Sequence, residues 1–192
     1  MKNFTDRQEQ IIQTSLDIIA KSGILGLTIK NISKDIGISE PAIYRHFESK
    51  TDILLGIMSK IKESSSTGPF PLPDESHTSV DIIRNAFISR AKRLTKNPSI
   101  AAVIFSESIF KNNSKLTEEI RSIMEKSQLK IVRIIKKGQK LGEINDRVDA
   151  EQLALMIIGT FRLLVTKWHM GSNNFDLVVQ TEKLFNAMEK LI

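Results

Sequence analysis

Residues 28–47 read TIKNISKDIGISEPAIYRHF, and the spacing of the apolar residues in that stretch decides the fold. Ile29, Ile32 and Ile36 recur at intervals of three and four, which sets them on one side of a helix; Ile43 and Phe47, four apart, resume the period after Gly37. Thr28 stands where the first of these helices needs an N-cap, and Ser39 where the second does. Pro41 falls in the first turn of the second helix, where its missing N–H loses no intrahelical partner. Two short helices joined by a tight turn containing glycine make a helix-turn-helix. Positions 29, 32, 36, 38, 43 and 47 supply the inner face, and the outward set is Glu40, Pro41, Ala42, Tyr44, Arg45 and His46.

The helical period continues on both sides. A helix over residues 5–22 carries Ile12, Leu16 and Ile19 on one stripe, reinforced by Ile11 and Ile18, and Gly23 ends it. Ser49 with Asp52 resembles a capping box for a helix over 50–63. The following stretch, SSSTGPFPLPDESHTS at 64–79, concentrates serine, glycine and proline and predicts a boundary between domains 1–63 and 64–192. Beyond it the pattern predicts helices over 80–95, 98–111, 114–140, 149–170 and 175–191, with Asp149 and Gln152 as a further capping pair. Strand-like alternation, hairpin dipeptides and solenoid repeats are missing, so the fold class is all-α with about nine helices.

Composition excludes several function classes. With no cysteine in 192 residues there is no disulfide, thiolate metal site or cysteine nucleophile. His46, His77 and His169 lie far apart, and none has a second histidine at helical metal-site spacing, so no metal and no cofactor are expected. No glycine-rich phosphate loop and no Ser/His/Asp spacing suggests an enzyme. The N-terminal residues lack a signal-peptide core, and the most apolar run, Leu153–Val165, is short for a bilayer span and contains Arg162. A cytoplasmic protein without a membrane partner is the expectation. The net charge of +6 does not gather at the helix-turn-helix end, because residues 1–63 hold nine basic and eight acidic side chains and +5 lies beyond them. A basic cluster at Arg133, Lys136, Lys137 and Lys140 reads as the solvated face of the seventh helix.

From about Leu27 to Leu55 the chain resembles the TetR-like (TetR/AcrR) family of transcriptional regulators. The resemblance rests on Thr28-x-x-x-Ile32-x-x-x-x-Gly37-Ile38-Ser39, then Tyr44-x-His46-Phe47, then Lys50. It implies a DNA-binding site comprising Thr28, Lys30, Ser39, Glu40, Pro41, Ala42, Tyr44, Arg45, His46 and Lys50. Lys30 would contact a base edge or a phosphate; Glu40, Pro41, Ala42 and Arg45 would face bases, and Thr28, Tyr44, His46 and Lys50 would hold phosphates. The chemistry suits that division. Tyrosine and histidine donors grip phosphate without reading sequence, arginine fits guanine O6 and N7, and an alanine methyl packs on thymine. Glu40 departs from it, since a carboxylate near phosphates needs a cytosine amino group or Arg45 to offset it.

The same resemblance implies an inducer pocket in the second domain, for which Phe87, Phe105, Phe110, Met124, Met156, Phe161 and Trp168 are the candidates. Scarce charge among them points to an apolar or amphipathic effector, with Arg90, Arg162 or His169 available to a polar end. Two half-sites about 34 to 36 Å apart require a dimer. The eighth helix is apolar nearly all round: Leu153, Ile157, Phe161, Leu164 and Trp168 form one stripe, and Met156, Ile158, Leu163 and Val165 fill its other sides. With Leu177, Leu184, Phe185, Met188 and Leu191 of the ninth helix, it predicts a four-helix homodimer interface. The function expected is a repressor released from a palindromic double-stranded DNA operator by a small molecule. The alternative is an architectural or chromosome-organising DNA-binding factor governed by a protein partner.

Overall fold

The computed structural model describes residues 4–67, 77–104, 113–171 and 174–191. Among these residues there are nine α-helices and no strand: α1 (Asp6–Ser22), α2 (Ile29–Ile36), α3 (Glu40–Tyr44), α4 (Lys50–Thr67), α5 (Ser79–Lys96), α6 (Pro98–Ile104), α7 (Ser114–Leu141), α8 (Ala150–Met170) and α9 (Leu177–Met188). A 3₁₀ turn, Ile24–Gly26, leads from α1 into α2. The chain divides into two compact units, Met1–Ser66 with Asn97–Arg121 and Thr67–Lys96 with Ser122–Ile192. Residues 97–121, which the sequence pattern grouped with the second domain, therefore pack with the first, and α7 contributes its opening two turns to one unit and the rest to the other.

In the first unit α1 packs against α2 and α6. Its core joins Ile11, Ile12, Ile18 and Ile19 to Ile32, Ile43, Phe47, Ile53, Ile57 and Met58, all buried. Each such side chain contributes about 1.5 to 3 kcal/mol of transfer free energy. The buried line on α1 runs through Ser15 and leaves Leu16 half-buried, one position off the predicted stripe. Ser15 is tolerated there because its Oγ donates to the Ile11 carbonyl at 2.7 Å. Thr5 and Gln8 form a full capping box at the start of α1, a Thr-x-x-Gln signal that the sequence carries openly. The fourth helix runs past its predicted end at residue 63 as far as Thr67. Serine lowers helix propensity by only tenths of a kcal/mol, and no helix breaker occurs before Gly68 and Pro69.

The second unit is held by α5 against α9, and α9 against α8. Phe87 of α5 is fully buried. Its ring meets Phe161 edge-on at 4.9 Å between centroids and Phe185 at 5.2 Å in a tilted contact. Asp149 Oδ1 caps α8, accepting from Glu151 and Gln152 N–H groups at 2.8 and 3.2 Å. Asp176 caps α9 in the same way, two residues later than the predicted start. The N-terminus of α5 is closed from a distance: Glu143 Oε2, beyond the end of α7, accepts the Ser79 N–H at 2.7 Å. The close approach is made at Gly138, where a Cβ would lie 2.8 Å from both Ile144 Cδ1 and Ser79 Cβ. The apolar run judged short for a bilayer belongs to a 21-residue helix. Among the described residues, this α8 is the one helix long and apolar enough to cross a membrane by length and composition. One of its stripes, Leu153, Ala154, Ile157, Phe161, Val165 and Trp168, is buried within the chain.

Candidate nucleic-acid interface

The turn between α2 and α3 follows from two residues. Thr28 Oγ1 accepts the Asn31 N–H at 3.1 Å and starts α2. Gly37 ends it in the left-handed region, at φ 77° and ψ 33°, so that both Gly37 N and Ile38 N donate to the Ser33 carbonyl at 3.0 Å. The chain leaves that turn with Ile43 and Phe47 directed into the core, and the opposite side of α3 faces solvent.

The third helix is shorter than predicted: Glu40–Tyr44 is helical, and Arg45 and His46 form the turn that follows. Gln8 Nε2 of α1 donates to the His46 carbonyl at 3.1 Å and fixes this turn. Ser39 occupies the N-cap position, but its hydroxyl makes no capping bond. The reason is local: Pro41 offers no N–H, and the Ala42 N–H is taken by the Ser39 carbonyl at 3.0 Å. Ser49 behaves as predicted, its Oγ donating to Asp52 Oδ2 at 2.8 Å and accepting the Asp52 N–H at 3.2 Å.

Thr28, Lys30, Ser39, Glu40, Pro41, Tyr44, Arg45 and Lys50 are exposed, and Ala42 and His46 are half-buried. Tyr44 leaves half of its surface in solvent, a large aromatic exposure beside a turn that otherwise buries its apolar groups. Lys50 opens α4 at the positive end of the helix dipole, where a cation is disfavoured without an anion nearby. No ion pair joins Glu40 to Arg45 among the described residues. The sequence reading missed the tether from Gln8, whose side-chain target is a backbone carbonyl that no residue pattern announces.

The pocket candidates divide. Phe87, Phe161 and Trp168 are buried, and the first two are in ring contact. Met124 and Met156 each leave about half of their surface exposed. Phe105 and Phe110 fall outside the described residues. Phe185, assigned by pattern to a dimer interface, packs on Phe87 inside its own chain, and Leu177 is also fully buried. Arg90 lies over the Phe87 ring at 5.0 Å and donates to Ser127 Oγ at 2.8 Å. Burial, helped by the neighbouring Arg93 charge, lowers its pKa to about 10, so it stays protonated at neutral pH. Among the described residues, no group of three or more His, Asp or Glu side chains could hold a metal ion.

A glycine-turn helix pair with a polar outer face, among described residues that form helices and no strand, defines a helix-turn-helix DNA-binding regulator. Residues 11–57 match the family model described as bacterial regulatory proteins, tetR family, and residues 74–190 match that of the YsiA-like protein C-terminal region. The chain belongs to the TetR family. It is 25% identical to the fatty acid metabolism regulator protein of Bacillus subtilis over 98% of this chain and 96% of that one. It is 23% identical to the nucleoid occlusion factor SlmA of Vibrio campbellii, over 90% and 91%. The crystal structure of the B. subtilis regulator FadR in complex with stearoyl-CoA has the same fold. Its TM-score is 0.78 at 24% identity, with 96% and 98% of the two chains covered. None of these three is named as an enzyme.

Proposed function

We propose that the chain is a homodimeric, cytoplasmic repressor that reads a palindromic operator and releases it when an apolar or amphipathic small molecule binds. The supporting observation is the exposed set from Thr28 to Lys50 gathered around the left-handed Gly37. In this reading DNA binding belongs to residues 1–63 and effector binding and dimerisation to 64–192, of which residues 97–121 pack with the first unit. Glu40, Pro41, Ala42 and Arg45 face bases. Lys30 takes a base edge or a phosphate; Thr28, Tyr44, His46 and Lys50 hold phosphates, and so does Ser39, whose hydroxyl is not used in capping. A phosphate against Lys50 also meets the amide end of α4, which relieves the unfavourable position of that cation.

Dimerisation uses the outer face of α8, where Leu155, Met156 and Leu163 are more than half exposed, together with Val179 and Leu191 near α9. The effector shifts the dimer between spacings, and needs only to prefer the one that does not fit two half-sites. Because a relative matched over 98% of its chain was crystallised with stearoyl-CoA, long-chain acyl thioesters are the first compounds to try. A second reading, an architectural factor governed by a protein partner, draws support from the similarity to nucleoid occlusion factors. Stabilisation of the folded chain by an acyl thioester, with loss of DNA binding, favours the repressor; indifference to such ligands favours the second reading.

The decisive measurement is binding to DNA from the region upstream of the chain's own gene. Tyr44→Phe weakens binding to every operator variant alike, since a phosphate contact carries no sequence information. Arg45→Ala relaxes preference at one position of each half-site by about 1 to 3 kcal/mol. A uniform loss for Arg45→Ala removes its base-reading role, and failure of the wild type to bind palindromic DNA at low salt removes the proposal.

A further inference from the structure

The surplus positive charge of this DNA-binding chain is concentrated in one helix outside the helix-turn-helix. Residues 114–141 contain eight basic and three acidic side chains, a net +5 of the overall +6. From Lys126 to Lys140 there is no carboxylate, and Glu125 and Glu143 bracket the run. Lys126, Lys130, Arg133, Lys137 and Lys140 follow one another at intervals of four, three, four and three. At 3.6 residues per turn they fall within an arc of about 80° and form a line about 21 Å long. All five are exposed, while Ile131, Val132 and Ile135 on the other side of α7 are buried. Lys136, off the line, pairs with Glu151 at 3.5 Å, and Lys137 lies near the Glu143 carboxylate.

A merely solvated face has no need of this arrangement. Each successive pair on the line is a like-charge neighbour at i,i+3 or i,i+4, which weakens the helix, and one glutamate in the row would relieve it. A polyanion relieves all of these repulsions together. We propose that this line of five cations is a second contact surface for duplex DNA, binding the phosphate backbone without reading sequence. Lysine at four of the five positions suits point-charge neutralisation more than bidentate base recognition. An anionic bilayer fits less well, because the apolar side of α7 is used in the core. Its exposed apolar neighbours, Leu129 and Leu141, are isolated from one another by about three turns.

The test uses the full chain with its helix-turn-helix disabled by Tyr44→Ala and Lys50→Ala, and follows binding to a labelled duplex of unrelated sequence as salt is raised. The stripe variant K126Q/K130Q/R133Q/K137Q/K140Q binds that duplex at least about tenfold more weakly at low salt. Its slope of log affinity against log salt is shallower by about 4 to 5, at about 0.9 per phosphate contact. With the helix-turn-helix intact, the same stripe variant keeps its preference between operator half-sites, which separates this surface from the reading head. The all-arginine variant K126R/K130R/K137R/K140R binds as the parent does. Circular dichroism verifies folding, and the milder K130Q/R133Q, with a slope change of about 2, serves if the fivefold variant does not fold. Unchanged affinity and slope overturn the proposal. So does stripe-dependent sedimentation with phosphatidylglycerol vesicles when binding to the unrelated duplex ignores the stripe.

Discussion

At Gly37 the backbone conformation matters more than the space around it. A Cβ built there meets nothing within 4 Å, so the objection to any other residue is the positive φ of 77° alone. Gly37→Ala is expected to lower stability by about 1 to 2 kcal/mol, and Gly37→Asn by less, because asparagine tolerates the left-handed region. Denaturant titration of the two variants measures the difference. Equal losses would mean that the turn depends on something other than φ. Most of this was legible in the sequence, since glycine between two helical periods has one common structural meaning. The idle hydroxyl of Ser39 was not. Its capping bond fails because the proline two residues on has no N–H and the next N–H prefers a carbonyl, a competition that a list of good N-cap residues does not contain.

At the level of elements, caps and breakers were legible and the choice of face was not. Thr28, Ser49 and Asp149 bond as their spacing predicts, because capping is a contest among neighbours in sequence. Phe185 was misassigned for the opposite reason: on a helix with apolar residues on several sides, period alone cannot say which side meets its own chain. The closure of α5 by Glu143 is of the same kind, since its partner is 64 residues away. The hydrogen bonds from Ser79 hold this carboxyl below its ordinary value of 4.5. A depressed folded-state pKa gives stability that is fully present above 4.5 and is lost as pH falls through the lower folded value. Glu143→Gln should therefore melt a few degrees lower at neutral pH and lose less than the wild type on acidification. Parallel melting curves against pH would show that Ser79 is indifferent to the charge.

For the molecule as a whole, the exposed side of α8 bears on whether two copies act together. Leu163 is 60% exposed in the single chain, so Leu163→Lys leaves the fold intact while introducing a charge into the proposed interface. Light scattering should find a monomer, and operator affinity should drop by about two orders of magnitude, as expected when two linked half-site contacts become independent. A dimer that survives this substitution would locate the interface elsewhere. The class of the fold was readable at this scale because nine helical periods leave few architectures open. The regrouping of residues 97–121 with the first unit was not, because it is set by packing between segments distant in sequence.

Gly138 bears on how this chain can vary. Its φ is not among the positive ones, so by backbone conformation it is an ordinary helical residue for which alanine would be an improvement. Yet the methyl group would have to share its volume with Ser79 and Ile144. Homologues free to drift at this position would have to retreat at the other two in the same step. The three residues, 59 positions apart at the first gap and six at the second, form a single heritable unit that pairwise comparison of neighbours along the chain would never assemble.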